Sequence, residues 1–160
     1  MKAFRMAVCL GAALLLLAAA VAESVPPFSL TITTPHPEVK AGSGVRVDLT
    51  LTNNSDRVAE FQFTGSLCDY AAVEVRDSAG NLVPDTEVKS KSDCAHQEIT
   101  GANGMYRLKP NESKRDTIAV SMFSDMSKPG EYSVQVMWKA PKEFDSVVVK
   151  SNTITVTVTP

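Results

Sequence analysis

Hydrophobic and polar residues alternate along most of the chain that follows residue 27. In residues 45–52, four aliphatic side chains occupy every second position, and arginine, aspartate and threonine fill the positions between them. Successive side chains of a β-strand point to opposite faces, so this pattern predicts a strand with one buried face. Six further stretches share the alternation, with apolar positions Phe28/Leu30/Ile32, Phe61/Phe63, Val73/Val75, Ile118/Val120/Met122, Tyr132/Val134/Val136/Trp138 and Ile154/Val156/Val158.

Turn-forming residues separate these stretches. Asparagine and aspartate occur with glycine, proline or serine in residues 53–56, 77–81, 101–104 and 110–113, and residues 128–130 contain proline followed by glycine. Seven to nine short strands with frequent turns, and no amphipathic helix of normal length, predict an all-β, antiparallel β-sandwich. Residues 84–99 fit no pattern and are expected to form a long loop or an irregular edge. Residues 28–33 and 153–159 are candidates for edge strands that could accept a partner strand.

The first 22 residues have the three parts of a secretory signal peptide. Lys2 and Arg5 precede an apolar run of about 15 residues, and small residues at Ala20 and Ala22 predict cleavage between Ala22 and Glu23. The alternative is a membrane anchor, but a spanning helix needs about 20 apolar residues. We therefore expect residues 1–22 to be removed and residues 23–160 to form a single domain that is secreted or periplasmic.

The charge of the exported part narrows the possible partners. Losing the two positive charges of the signal peptide changes the formal net charge from −2 to −4. No cluster of lysine and arginine is present to neutralise phosphates, so nucleic acid is not an expected partner. After cleavage no second apolar stretch is long enough to enter a membrane, so a protein is the expected partner.

Two cysteines remain after cleavage, Cys68 and Cys94. An even number of cysteines in an exported chain favours a disulfide, which we expect to join these two. A metal site is the alternative, because Asp93 and His96 lie beside Cys94 and Asp69 follows Cys68. Structural zinc prefers two close pairs of ligands, and that spacing is absent.

The sequence offers little for catalysis. Its two histidines are His36 and His96, and it contains no nucleophile elbow, no zinc-protease motif and no phosphate-binding loop. Residues 77–81 carry too few carboxylates for a calcium loop. We therefore expect a protein that is not an enzyme and has no metal or cofactor. Two Asn-x-Ser sequons begin at Asn53 and Asn111, and they matter only in a host that glycosylates exported proteins.

Tyr132 gives the first resemblance to a known family. It lies in Pro-Gly-Glu-Tyr-Ser-Val, two residues before a core position, and it resembles the corner tyrosine of immunoglobulin-like sandwiches. Neither cysteine lies on this strand, so the antibody disulfide is not expected. We expect Tyr132 and Trp138 to share one strand face and to pack in the core.

A wider resemblance covers residues 45–136. The segments LTLTNNSDRVAEFQFTGSLCDYAAVEVRDSAGNLVP, LKPNES and KPGEYSVQV resemble exported bacterial immunoglobulin-like domains. They are also similar to the BsuPI-type proteinase inhibitor domain, with its L-x-N-x-S/T strand end, V-x-D-x-x-G hairpin and L-x-P-G-E turn. Asn111 replaces the usual glycine of that turn, and Val83-Pro84-Asp85 stands where the family continues with aromatic and basic residues. This resemblance implies an inhibitor role and transfers no reactive-site residue.

These observations predict an exported, non-catalytic immunoglobulin-like module that engages a protein partner or serves a structural role. A surface formed by residues 65–69 and 85–96 is expected to carry the binding, because a disulfide would hold these two loops in one geometry. A bridge that only stabilises a long loop is an equal alternative. A proteinase inhibitor, and an enzyme or metal carrier built around Cys94 and His96, are the other hypotheses.

Overall fold

The computed structural model describes residues 25–62, 70–91 and 105–160. The predicted cleavage site at Ala22 and Glu23 lies outside these residues, and so do Cys68, Cys94 and His96. The described chain contains these elements: β1 Phe28–Thr33, β2 Glu38–Lys40, β3 Arg46–Asn53, β4 Ala59–Gln62, β5 Ala72–Arg76, α1 Glu87–Lys91, β6 Met105–Leu108, β7 Ser113–Ala119, β8 Gly130–Lys139, β9 Val148–Lys150 and β10 Ile154–Thr159. Two single 3₁₀ turns cover Val120–Met122 and Lys142–Phe144.

The strands form two main sheets and one ribbon. The first sheet has the order β1-β3-β7, and the second has the order β2-β10-β8-β5, with β9 also paired to β8. Strands β4 and β6 form a separate two-stranded ribbon. All pairs are antiparallel except β2 with β10, which is parallel.

The alternation of the sequence explains the core. The apolar positions of β1, β3 and β8 are buried one after another, and the polar positions between them are exposed or half-buried. Trp138 of β8 lies between the sheets, where its ring makes edge-to-face contacts with Phe28 at 5.2 Å and Phe61 at 5.3 Å. The prediction of an all-β, sandwich-like fold is confirmed.

One predicted strand ends early. The sequence predicts alternation through Ile118, Val120 and Met122, but β7 ends at Ala119 and the next three residues form a 3₁₀ turn. The amides of Phe123 and Ser124 both donate to the Val120 carbonyl, which bends the chain away from the sheet. Val120 stays buried and Met122 is 52% exposed. The turn is favoured over a continued strand because it keeps Val120 in the core. It also brings residues 123–125 into hydrogen-bond contact with residues 84–86.

The irregular segment that begins at residue 84 is partly described. Asp85 forms an isolated bridge with Ser124, and the Thr86 amide donates to the Phe123 carbonyl at 3.0 Å. The Thr86 hydroxyl then accepts a hydrogen bond from the Lys89 amide, as in the N-cap of a helix, and α1 follows. The expectation of an irregular edge holds for residues 84–86, and the one-turn helix was not predicted.

The two candidate edge strands have different surroundings. β10 is not an edge strand, because β2 pairs with one side of it and β8 with the other. β1 does lie at the edge of its sheet, but the Asn152 side chain closes part of that edge. Its Oδ1 accepts from the Ile32 amide at 2.8 Å, and its Nδ2 donates to the Ile32 carbonyl at 3.0 Å. A side-chain amide thus takes the place of a neighbouring strand.

A β-bulge places Asn152 at this edge. Ser151 pairs with Val136 through its backbone and its hydroxyl, and Ile154 pairs with Val134. Two residues of one strand therefore face only Gln135 of the other. The extra residue bends the chain between β9 and β10. The Asn152 side chain then reaches Ile32 of β1.

Candidate binding surface at one end of the sandwich

Three chain connections meet at one end of the sandwich, which we call the three-loop end. They are residues 54–58 between β3 and β4, residues 109–112 between β6 and β7, and residues 140–147 between β8 and β9. The Asn111 amide donates to the Asn53 carbonyl at 2.7 Å, and the Asn53 amide donates to the Glu112 carbonyl at 3.0 Å. A guanidinium nitrogen of Arg57 donates to the Glu143 carbonyl at 3.1 Å. These bonds join the three connections into one surface.

Asn53 is the buried anchor of the first connection. Its side-chain nitrogen donates to the carbonyls of Arg57 at 2.7 Å and Leu108 at 2.8 Å. Its side-chain oxygen accepts from both the amide and the hydroxyl of Ser55. All four hydrogen-bonding positions of the amide are therefore used, and the residue has no exposed surface. The L-x-N-x-S motif that carried the resemblance thus forms a buried hydrogen-bond network around Asn53. Asn53 is also the asparagine of the first Asn-x-Ser sequon, so the residue that would carry a glycan there is buried.

The second connection is a tight turn with an unusual residue at its tip. Asn111 has φ of 62°, in the left-handed region that glycine occupies most easily. Asparagine tolerates this region better than most side chains, so it can occupy the tip of this turn. Glu112 closes the turn, because its carboxylate accepts from the Lys109 amide at 2.8 Å.

The third connection, residues 140–147, is exposed at its tip and anchored from below. The Phe144 side chain is buried and contacts the Phe28 ring edge-to-face at 4.8 Å. The Arg57 guanidinium lies over the outer side of the Phe144 ring, 4.6 Å from its centre. The Ala140 amide donates to the Val147 carbonyl at 2.9 Å and closes the base of the loop.

The tip of this loop contains backbone strain. Asp145 has φ of 57° and Ser146 has φ of 52°, so two consecutive residues with side chains occupy the left-handed region. Each such residue costs about 1–2 kcal/mol relative to the right-handed conformation. Strain of this kind persists where the surroundings over-determine the backbone, and it concentrates at functional sites. Here the buried Phe144 ring and the Arg57 bond supply the constraint.

The exposed side chains of the three-loop end combine apolar and charged groups. Val58 is 40% exposed and Val147 is 42% exposed, each next to charged residues in the same connection. Lys142, Glu143 and Asp145 are exposed at the tip of the third loop. Apolar groups framed by charges on rigid loops are suited to contact with another protein.

The opposite end of the sandwich carries the turn 77–81, the 3₁₀ turn Val120–Met122, the helix α1 and residues 124–129. Asp77 accepts hydrogen bonds from the amides of Ala79 and Asn81, both at 2.9 Å. The Asn81 bonds are the main cause that lowers the pKa of the Asp77 carboxyl. Asp125 is held in a similar way, because the hydrogen bonds from Ser127 lower its pKa.

Tyr132 and Trp138 lie in the core, on the inner face of β8. The Tyr132 hydroxyl donates to the Lys128 carbonyl at 2.7 Å, four residues upstream, at the opposite end. Burial is the largest cause that raises the pKa of this phenol, followed by the charges of Asp125 and Asp77. Trp138 reaches the three-loop end, where it packs beside Phe28.

The described part of the predicted surface and the three-loop end lie in different parts of the molecule. Of residues 65–69 and 85–96, only 85–91 are described, and they lie at the opposite end. Cys68, Cys94 and His96 lie outside the described residues, so their pairing stays a prediction. Sequence reasoning did not select residues 140–147. An available signal was Phe144, a large apolar residue among charged ones directly after the strand that ends at Lys139.

An open cleft of about 600 Å³ lies on the outer face of the first sheet, lined by Asp48, Arg115, Asp116 and Thr117 among the described residues. In the described part of the chain, no three histidine, cysteine, aspartate or glutamate side chains come together as a metal site. Every buried side-chain nitrogen and oxygen in the described ranges has a hydrogen-bond partner. A cavity of about 20 Å³ beside Trp138, lined by Leu30, Leu49 and Leu51 among others, holds no more than a water molecule.

The helices of the described part are short, and none has the length and apolar character to cross a bilayer. A scan of the chain against protein-family models finds no match. A search of curated protein sequences likewise finds no similar protein.

Proposed function

We propose that this protein is an exported, non-catalytic, immunoglobulin-like module that binds a protein partner through its three-loop end. The observation that carries the proposal is the loop 140–147. It is exposed at its tip, strained at Asp145 and Ser146, and anchored in the core by Phe144. A loop that is already fixed in one conformation loses little entropy when a partner binds to it.

The strand order supports the immunoglobulin-like part of the proposal. The sheet β1-β3-β7 faces a sheet that contains β10, β8 and β5. This order matches strands A, B and E on one side and G, F and C on the other side of an immunoglobulin sandwich. On this correspondence, residues 54–58 begin the B–C connection and residues 140–147 form the F–G connection. These connections belong to the end that antibody variable domains use for recognition.

The side chains of the three-loop end support a protein as the partner. A binding site for a small molecule encloses a large part of its ligand in a concave pocket. Here the exposed apolar side chains of Val58 and Val147 stand on loops that also carry charged residues. Exposed apolar groups with charged groups around them are typical of surfaces that bind another protein.

A proteinase inhibitor is the second candidate, and the braced loop 140–147 is the observation that favours it. An inhibitor of this type presents a rigid, exposed loop to the enzyme. The Lys142–Phe144 segment is a 3₁₀ turn, however, and the Phe144 side chain points into the core. An extended substrate-like segment is the usual form in which a chain is recognised through its backbone. The binding-module hypothesis therefore takes first place.

The test uses two variants matched in charge and chemistry. V58E/V147E adds two carboxylates at the three-loop end, and L82E/M122E adds them at the opposite end, where Leu82 and Met122 are 58% and 52% exposed. Immobilised wild-type protein is exposed to the exported proteins of its own source cells, and the retained proteins are identified and their affinities measured. We expect one or a few proteins to bind wild type and L82E/M122E equally, and V58E/V147E at least about tenfold more weakly.

Two results would contradict the proposal. If the wild-type protein retains nothing above a blank support, the protein is not a binding module of exported proteins. If both variants lose a retained partner equally, binding does not use the three-loop end. A parallel titration against serine, cysteine and metalloproteases tests the second candidate. Stoichiometric inhibition that V58E/V147E loses and L82E/M122E keeps would make the protein an inhibitor that acts through this end.

A further inference from the structure

We propose that the hairpin of β8 and β9 presents a basic and apolar surface that binds an acidic polypeptide segment of the partner. This inference rests on the proposed function and adds the chemistry of the partner. The surface, which we call the lysine face, consists of the outward side chains of Met137, Lys139, Val148 and Lys150, together with Lys142 in the turn between the strands.

The register of the hairpin places these side chains on one face. Met137 is paired with Lys150, and Lys139 with Val148. Trp138 and Val149, which are paired between them, point toward the other face, and Trp138 is buried in the core. Side chains at alternate positions share a face, so Lys139 and Lys150 are diagonal neighbours with about 7 Å between their Cβ atoms.

The lysines of this face have no counter-ion within the described chain. No aspartate or glutamate of the described residues lies within 4.0 Å of Lys139, Lys142 or Lys150. Four other cations of the described surface, Arg76, Lys89, Lys91 and Arg107, do have one. Lys89 pairs with Asp85 at 2.7 Å, and Arg107 pairs with Glu60 at 2.8 Å. The outward charged side chains on the hairpin strands, Lys139 and Lys150, are therefore both positive, on a chain whose predicted exported part has a formal net charge of −4. In the turn, Lys142 stands beside the exposed Glu143 and Asp145.

Apolar groups between the lysines favour a polypeptide over other polyanions. Val148 is 48% exposed and lies opposite Lys139, and Met137 is half-buried beside it. A segment with carboxylates and apolar side chains matches both features of this surface. A sulfated polysaccharide or a nucleic acid backbone would pair with the lysines but would leave the valine and methionine without a complementary group.

The experiment measures the binding of a fluorescently labelled peptide of eight residues, Glu-Leu-Glu-Glu-Leu-Glu-Glu-Leu, to the full exported protein. A peptide with lysine in place of glutamate is the charge control, and heparin is the polysaccharide probe. The test variant is K139Q/K142Q/K150Q. The matched control is K40Q/K91Q/K128Q, which removes the same charge from exposed lysines elsewhere on the surface.

We expect wild-type protein to bind the glutamate peptide and not the lysine peptide. The variant K139Q/K142Q/K150Q should bind about tenfold more weakly, and K40Q/K91Q/K128Q should stay within about twofold of wild type. The loss should grow smaller as salt is raised, because exposed charges are screened. Circular dichroism and urea midpoints of both variants should equal those of wild type, since all six side chains are exposed.

Three outcomes would overturn the inference. Equal weakening in both triple variants would mean that only overall charge matters. Binding of heparin without binding of the glutamate peptide would assign the face to a polysaccharide. A captured natural partner that binds K139Q/K142Q/K150Q as tightly as wild type would remove the lysine face from the interface. That last result would leave the proposed function standing, because V58E/V147E tests it separately.

Discussion

The two ends of the sandwich are closed by different means. At the three-loop end, the side chains that fix the loops are buried within the domain, as Phe144 and Asn53 are. At the opposite end, the turn 77–81 is fixed by the half-buried Asp77, whose carboxylate accepts hydrogen bonds from within its own turn. Tyr132 combines both means at the opposite end. Its ring is buried in the core, and its hydroxyl donates a hydrogen bond to the Lys128 carbonyl of the nearby turn.

The conformation of the three-loop end thus depends on packing in the core, whereas the conformation of the turn 77–81 depends on hydrogen bonds within the turn itself. A loop anchored by a buried ring keeps its shape only while the domain is folded and packed around that ring. A turn closed by its own aspartate forms from local sequence, with little help from the rest of the domain. The three-loop end is therefore coupled to global stability. Substitutions at its anchors should have larger effects than substitutions at the opposite end.

The largest effect is expected from Phe144→Ala. The change removes a buried ring that contacts Phe28 at 4.8 Å, so it should lower the free energy of unfolding by about 3–4 kcal/mol. It should also speed hydrogen exchange at the Ala140 amide, which closes the base of the loop. Urea denaturation and exchange measured by NMR test both effects. Phe144→Leu is the control and should lose less than half as much. Unchanged exchange at Ala140 would show that the ring does not hold the loop.

Asn53→Ala should give the next largest loss, about 2–3 kcal/mol in the free energy of unfolding. The carbonyls of Arg57 and Leu108 would lose their donor inside the domain, and the Ser55 amide would lose its acceptor. The neighbouring Asn54→Ala provides the control. Asn54 makes only one longer side-chain bond, to the Pro26 carbonyl at 3.3 Å, so its loss should stay below about 0.5 kcal/mol. Equal urea midpoints for the two variants would mean that the buried hydrogen bonds of Asn53 do not stabilise the domain.

Asn152→Ala tests the middle of the molecule, between the two ends. The variant loses two side-chain bonds to the Ile32 backbone, so the free energy of unfolding should fall by about 1–2 kcal/mol. The Ile32 amide should exchange faster with solvent, because nothing replaces the asparagine oxygen. Thr153→Ala, at an exposed position in the same bulge, should leave that amide unchanged. An Ile32 amide that stays protected in Asn152→Ala would mean that the edge is closed in another way.

Sequence patterns predict the strands whose alternation is long and whose one face is buried. β3 and β8 span eight and ten residues, and their apolar positions identify them directly. β2, β6 and β9 span three or four residues, which is too short for a period of two to stand out. Pairing with a neighbour creates these strands, and such pairing depends on residues that are distant in sequence.

The candidate binding surface was harder to predict for a related reason. Asn53 and Asn111 read from the sequence as ordinary turn residues, and only the fold shows that one is fully buried and the other left-handed. Phe144 anchors its loop through a contact with Phe28, which lies more than a hundred residues earlier in the chain. Local sequence encodes the turn 77–81 of the opposite end well, because the bonds of Asp77 stay within four residues.

Tyr132→Phe should lower the free energy of unfolding by about 1 kcal/mol, because the Lys128 carbonyl loses its 2.7 Å donor while the ring stays in place. The folded state also raises the pKa of this phenol above its usual value of 10.0. The folded protein therefore holds the proton more tightly, and wild type should lose stability as the pH rises above 10. The phenylalanine variant lacks this alkaline loss. Urea midpoints at pH 7 and at pH 10.5 test both statements, and a parallel decline in the two proteins would contradict the second.

The smallest effect is expected at Asp77, and it should appear only in acid. The hydrogen bonds from Asn81 lower the pKa of this carboxyl below 3.8, so the folded state favours the charged form. The resulting stability is present above the unfolded pKa and is lost as the pH falls through the lower folded value. Asn81→Ala removes the side-chain bonds from residue 81 and keeps its backbone amide, which is the larger cause. The variant should therefore move the Asp77 pKa only part of the way back toward its ordinary value, as an NMR titration between pH 2 and pH 6 would show. Asp77→Asn keeps an acceptor for the Ala79 amide and has no charge to lose, so its stability should decline less than that of wild type in this range. An Asp77 pKa that is unchanged in Asn81→Ala would mean that the Asn81 side chain does not contribute to the turn. An Asp77 pKa at its ordinary value in the wild-type protein would mean that the local bonds do not favour the charged carboxylate, and the contrast between the two ends would fail.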